Sequence, residues 1–171
     1  MNYIARNIDA QSMEWKSDPM RKPLLLRGAR QVGKSSAIRH LGETFQHFAE
    51  VNFERNKAIK SFFQGDIDVH LIAQKIAAYL GVPIVNGKTL LFLDEIQECP
   101  EAIMALRFFK EDYPELHVVA AGSLLEFALE ELPTSGGGRI HSIFMYPMTF
   151  DEFLGACHED ALLAMRRQAS S

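Results

Sequence analysis

The stretch Arg27-Gly28-Ala29-Arg30-Gln31-Val32-Gly33-Lys34-Ser35-Ser36 sets two glycines, a lysine and two hydroxyls directly after the apolar run "PLLL". Within it, "GARQVGKS" fits G-x-x-x-x-G-K-[ST] without a mismatch. The spacing has a physical reason. Gly28 and Gly33 let the chain wrap so that backbone N–H groups from Gly28, Ala29, Arg30, Gln31, Val32, Gly33, Lys34, Ser35 and Ser36 turn inward on phosphate oxygens. A helix starting near Gly33 aims its positive end at the same anion. Lys34 then reaches the outer phosphates, where it serves binding and catalysis alike, and the Ser35 hydroxyl is placed for Mg²⁺. A chance match arises in about one chain in a hundred of this size or fewer. The position between an apolar run and an amphipathic helical pattern makes chance a poorer account still.

Asp94 and Glu95 close the apolar run "TLLFLDE", sixty residues beyond Lys34. An Asp there holds Mg²⁺ and a Glu beside it polarises a water for attack on a γ-phosphate. Two acids at a strand end also simply mark its exit to solvent, and only the matched loop tips the balance toward the metal and the base. Ser123 ends "LHVVAAGS", within reach of a γ-phosphate; it equally suits the N-cap of "LLEFALEEL", with Glu126 completing a capping box. Arg139, after the Gly-rich "PTSGGG", is a candidate arginine finger or sensor, although a solvated loop arginine is the commoner case. The six histidines, Cys99 and Cys157 show no metal-ligand spacing.

These residues need a scaffold. "PLLLRG", "TLLFLDE" and "LHVVAAGS" are continuous apolar runs, as expected of strands buried on both faces of a parallel sheet. "FAEVNFE" alternates, with Ala49, Val51 and Phe53 facing one way, and predicts a strand nearer the edge. "RIHSIFM" (139–145) predicts a fifth strand. Helical spacing follows the glycine loop through Ala37, Ile38, Leu41 and Phe45, and recurs at Val69, Ile72, Ile76 and Tyr79 until Gly81 and Pro83 stop it. A third helix starts near Pro100, and residues 149–168 read as helical. Strands alternating with helices predict a layered α/β fold around a mostly parallel five-stranded sheet.

At 171 residues the chain suits one domain, expected as a core over 21–148 with a helical lead-in over 1–20 and a C-terminal helical segment over 149–171. A net charge of −4 argues against a protein that coats nucleic acid generally. Two cysteines make no disulfide framework and suit a reducing, cytoplasmic setting. No stretch approaches the roughly 18 apolar residues of a membrane span, and the N-terminus lacks a signal-peptide core.

Rival nucleotide chemistries leave traces that are missing. A GTPase wants Asn-Lys-x-Asp, whereas "NKAI" (56–59) lacks the Asp; it also wants Asp-x-x-Gly where this chain has "DEIQ". A transporter ATPase carries Leu-Ser-Gly-Gly-Gln before the acidic strand, whereas "TSGGGR" follows it. Three functions remain open: an ATPase, an ATP-gated interaction module that hydrolyses negligibly alone, and a small-molecule kinase with Glu54 and Arg55 as an acceptor site. The kinase lacks an evident Arg-rich lid.

Taken together, "LLLRGARQVGKSSAIRHL", "LLFLDEIQECPEAIMALRFFKEDYPELHVVAAGSLLEFAL" and "GRIHSIFMYPMTFDEFL" resemble the AAA-like ATP-binding proteins of bacteria and archaea, related to the STAND ATPases. The resemblance covers about residues 20–155. It implies a P-loop NTPase three-layer sandwich with strand order 5-1-4-3-2, Mg-ATP as ligand, and Asp94 and Glu95 as the Walker B pair. Ser123 resembles the sensor position, and Arg139 matches the "GR" before the last strand. Members of the family usually continue into a second domain, to which nothing in this sequence corresponds. The C-terminal segment is accordingly expected to open a lid or linker, with a second copy or a protein partner engaged through that further domain.

Overall fold

The computed structural model describes residues 3–125, 138–157 and 160–169. Helix α1 (Ile8–Ser17) precedes strand β1 (Leu24–Arg27), which the glycine loop joins to α2 (Lys34–Gly42). Strand β2 (His47–Asn52), a 3-10 helix (Lys57–Phe63) and α3 (Val69–Leu80) follow. Next come β3 (Thr89–Asp94), a short 3-10 turn (Ile96–Glu98), α4 (Pro100–Asp112) and β4 (His117–Gly122). Strand β5 (His141–Phe144) and the helices α5 (Phe150–Ala156) and α6 (Asp160–Ala169) complete the described chain.

The sheet is parallel throughout, in the order β2-β3-β4-β1-β5, which is 5-1-4-3-2 from the other edge. Its two faces explain the continuous apolar runs. Leu25, Leu91, Leu93, Val118 and Ala120 face one layer, packed on Ile72 and Ile76 of α3 and Ile103, Leu106 and Phe109 of α4. Their neighbours Leu24, Leu26, Leu90, Phe92, Val119 and Ala121 face the other, on Ile8 and Trp15 of α1 and Ile38 and Leu41 of α2. With period-2 side chains and helices on both sides, every position in β3 and β4 is buried. Edge strand β2 buries Ala49 and Val51 while Glu50 on the other face meets Arg39 at 2.7 Å, which is the origin of its alternation.

Helix α3 starts where the Asp68 carboxylate accepts from the N–H groups of His70 and Leu71, both at 3.1 Å. The stretch 149–168, expected to be helical, holds two helices. Thr149 and Glu152 form a reciprocal capping box at the start of α5, which ends after Gly155 at Ala156. An Arg166–Asp151 ion pair then joins α6 to α5. The fifth strand is shorter than expected, since Arg139 turns away to meet Glu111 at 2.8 Å. Most of the expected "LLEFALEEL" helix, Glu126 and the "PTSGGG" loop lie outside the described residues.

Phe92 is fully buried and stacks on Phe48 with ring centroids 6.1 Å apart. Phe92→Ala is expected to cost about 3–5 kcal/mol in urea unfolding. Gln74→Ala, on the exposed face of α3, is expected to stay within about 0.5 kcal/mol.

Candidate nucleotide site

In a parallel sheet every strand delivers its carboxyl end to the same side, and here β1, β3 and β4 bring Gly28, Asp94 and Ser123 to it. The glycine loop can close only because two of its positions tolerate backbone that other residues resist. Gly28 has φ 150°, and a Cβ there would run into the Met145 carbonyl; Gly33 has φ 96° as the residue before α2. No side chain caps the first turn of α2, so its free N–H groups and the positive end of its dipole face the loop.

Lys34 is 8% exposed and donates from Nζ to the carbonyls of Gly28 (2.8 Å) and Ala29 (2.5 Å). Burial holds its pKa below the ordinary lysine value, with Glu95 and Asp94 pulling the other way. Ser35 Oγ donates to Asp94 Oδ2 at 2.7 Å, and the Glu95 N–H donates to Asp94 Oδ1 at 2.9 Å. Asp94 is 3% exposed; burial pushes its pKa above the usual carboxylate range despite those two donors. A cation beside Asp94 and an anion beside Lys34 would reverse both penalties, so the pair is set up for a charged ligand of matching polarity.

Two hard oxygens, a hydroxyl and a carboxylate in contact, suit Mg²⁺, which keeps several waters and takes its remaining oxygens from phosphates. No cluster of three or more His, Cys, Asp or Glu side chains forms a separate cage among the described residues.

The other expected residues fall into three groups. Ala29, Arg30, Gln31 and Ser36 are exposed along the rim, whereas Val32 turns its side chain into the core. Ser123 is buried, its Oγ has no partner, and a cavity of about 240 Å³ separates it from Gly28, Ala29 and Arg30. Its expected N-cap partner Glu126 lies outside the described residues. Arg139 is not brought to the site: it precedes the amino end of β5, beside Pro23 and Glu111, at the opposite end of the sheet. Its reading as a finger on its own chain's nucleotide therefore has no geometric support. Glu54 and Arg55 follow β2 at the site's end of the sheet, beyond Asn52, which pairs with Asp94.

Sequence reasoning missed three contributors. Arg6 donates to the Val32 carbonyl (2.7 Å) and to the Tyr146 carbonyl (3.0 Å), and pairs with Glu152 at 3.3 Å, so it clamps the loop to the segment before α5. Tyr3 stacks on His40 of α2 with centroids 3.8 Å apart, walling a cavity of about 380 Å³ beside Gly33 and Ser36. Gln97 donates to Glu95 Oε2 at 2.6 Å. None carries a local motif except Gln97, which stands inside "DEIQ". Strain collects here too. Among the described residues the non-glycine residues with positive φ are Gln31 (61°), Glu95 (52°) and Leu124 (54°), each just beyond the carboxyl end of β1, β3 or β4.

A glycine loop between the first strand and helix of a 5-1-4-3-2 parallel sheet, facing an acidic strand two places away, defines a P-loop NTPase domain. The chain belongs to the AAA domain family, whose model matches residues 20–154. No curated protein matches it in sequence. Among solved structures it is similar in fold to a Walker-type ATPase of Pyrococcus abyssi (TM-score 0.52, 18% identity, over 92% of this chain and 57% of that one). It is also similar to the Orc1 protein of Aeropyrum pernix, solved in complex with DNA (TM-score 0.59, 14% identity, over 94% of this chain and 50% of that one). The chain thus spans 57% of the first protein and 50% of the second. No helix among the described residues is long and apolar enough to cross a membrane.

Because folding raises the Asp94 pKa, that carboxyl favours the folded state fully only below its unfolded value near about pH 4, and this is lost as pH rises through the folded value. Asp94→Asn removes the buried charge and, like the protonated carboxyl, keeps one of the two acceptor oxygens. Without nucleotide, its Tm is expected to match wild type in acid and to rise above it as pH climbs to neutrality. A gap that stays constant with pH would contradict the account.

Proposed function

We propose that this chain is a Mg-ATP-binding domain that hydrolyses ATP. The observation that carries the reading is the Ser35–Asp94 hydrogen bond at 2.7 Å beside the buried Lys34 ammonium, a hard-cation site and an anion site in contact. The backbone from Gly28 to Ser36, with Lys34, holds the phosphates, and Ser35 and Asp94 hold Mg²⁺. When bound, the metal neutralises phosphate charge. Glu95 accepts a proton from a water whose oxygen bonds to the γ-phosphorus as the bond to the β-phosphate oxygen breaks, leaving ADP and phosphate. In this reading Ser123 contacts a γ-phosphate oxygen, which its buried, unpartnered Oγ on the cavity shared with the loop supports.

The cavity walled by Tyr3, Ile4, His40 and Met148 adjoins Gly33 and Ser36, and we assign it the nucleobase. Adenine rather than guanine rests on the missing guanine motif. Residues 21–148 form the functional core in this reading, with 1–20 and 149–171 as flanking segments; free Cys99 and Cys157 suit the cytoplasm.

A second reading, an ATP-gated interaction module, is favoured by Arg6. One guanidinium joins the phosphate loop to Tyr146 and Glu152, so a change in the loop is felt next to the exposed Tyr146, Phe150 and Phe153. Any partner, nucleic acid included, would engage through such a surface.

Mg-ATP at about 100 times its Kd is expected to stabilise the domain by about 2.7 kcal/mol. For a chain of this size that raises Tm on the order of 5–10 °C. GTP should shift it less, and Lys34→Ala should abolish the shift. A wild type that ignores Mg-ATP overturns the proposal.

A further inference from the structure

We infer that Gln97 is a positioning residue for Glu95, and that residue 122 is glycine to make room for it. The inference rests on the reading of Glu95 as the group that accepts the water's proton.

Three observations carry it. The short 3-10 turn Ile96–Glu98, closed by Glu98 N–H to the Glu95 carbonyl at 3.0 Å, folds the side chain of Gln97 back over that of Glu95, and Ile96 anchors the turn in the core at 0% exposure. Gln97 Nε2 then donates to Glu95 Oε2 at 2.6 Å. A carboxylate only accepts, so the amide nitrogen is the end that faces it, and a short bond to an ionised group is among the stronger kinds. At the other end of the amide, Oε1 is buried without a hydrogen-bond partner and lies against Gly122, where a Cβ would sit 2.5 Å from it. Among the described residues Glu95 is therefore the only hydrogen-bond partner that fixes the amide, and Gly122 leaves the space in which it is fixed.

Glu95 itself sits in left-handed backbone, φ 52°, where local geometry alone does not dictate where its carboxylate points. A base must sit within hydrogen-bond reach of the proton it takes. Gln97 supplies the missing restraint with a neutral donor at 2.6 Å.

Gly122 gives an independent handle. Its φ is not in the left-handed region, and the atom a new methyl would strike is the free end of a flexible side chain, with Ile96 and Leu125 carbons at 3.3 Å. Gly122→Ala should thus fold and act by displacing Gln97.

The test is single-turnover phosphate release from Mg-ATP, with Mg-ATP affinity and a melt for each variant. Gln97→Leu and Gly122→Ala are expected to slow release by about tenfold or more, with affinity within about twofold of wild type. The double variant should be no slower than Gln97→Leu alone, since both remove one contact. Independently of turnover, the side-chain amide protons of Gln97 should resonate away from those of exposed glutamines in the wild type and move toward them in Glu95→Ala, which removes the acceptor. Should Gly122→Ala fail to fold, Gln97→Leu and the amide resonances decide alone. Gln97→Leu at the wild-type rate, where Glu95→Gln is inactive, overturns this inference and leaves the ATPase reading standing. Phosphate release unaffected by Glu95→Gln overturns that reading and the positioning role with it.

Discussion

The hydrogen bond from Ser35 to Asp94 ties the first turn of α2 to the carboxyl end of β3, across the intervening edge of β4. Everything else in the site is arranged so that these two oxygens can meet. A parallel sheet puts the carboxyl ends of β1, β3 and β4 on one side, and the order 5-1-4-3-2 leaves only β4 between β3 and β1. The loop from Gly28 to Gly33 then has room to turn back over that gap. Burial of Asp94 and Lys34 costs stability in the ligand-free protein, which is the usual sign that a site is shaped for its ligand rather than for itself.

Strain and restraint are distributed around this contact in a consistent way. The left-handed backbone lies within the loop at Gln31 and just past the ends of β3 and β4 at Glu95 and Leu124. Such conformations persist only where packing over-determines them. Here the packing is Ile96 in one core, Val32 in the other, and Arg6 bridging the Val32 and Tyr146 carbonyls from a segment that precedes α1. The same guanidinium reaches Glu152, which accepts from the N–H groups of Asn7 (2.7 Å) and Thr149 (2.8 Å). Burial alone would push the Glu152 pKa up; the two backbone donors and Arg6 hold it below the usual range instead. The phosphate loop and the start of α5 thus share one charged node.

How much of this was readable in the sequence follows from what is local. The phosphate loop is local, because a backbone cradle needs its glycines at fixed offsets, and the residues Gly28 to Ser36 stand where the spacing puts them. Asp94 was readable because a continuous apolar run ending in acid has few fates beside such a loop. The three buried strands and the alternating β2 were readable from period and burial, and the strand order followed from resemblance. Arg139 was not, since a glycine-rich approach says nothing about which end of the sheet the next strand starts from. Tyr3, Arg6 and His40 were not either: the contacts Arg6 makes with the Val32 and Tyr146 carbonyls lie 26 and 140 residues away, Tyr3 and His40 meet from different segments, and no spacing encodes them.

The central claim is that the carboxyl end of β3 does chemistry on a nucleotide held by the loop. Single-turnover release of phosphate from γ-labelled Mg-ATP, comparing wild type with Glu95→Gln at matched occupancy, tests it most directly. The account predicts release by the wild type and intact, tightly held ATP in the variant. Equal release from both, or bound ATP that stays intact in both, would contradict it.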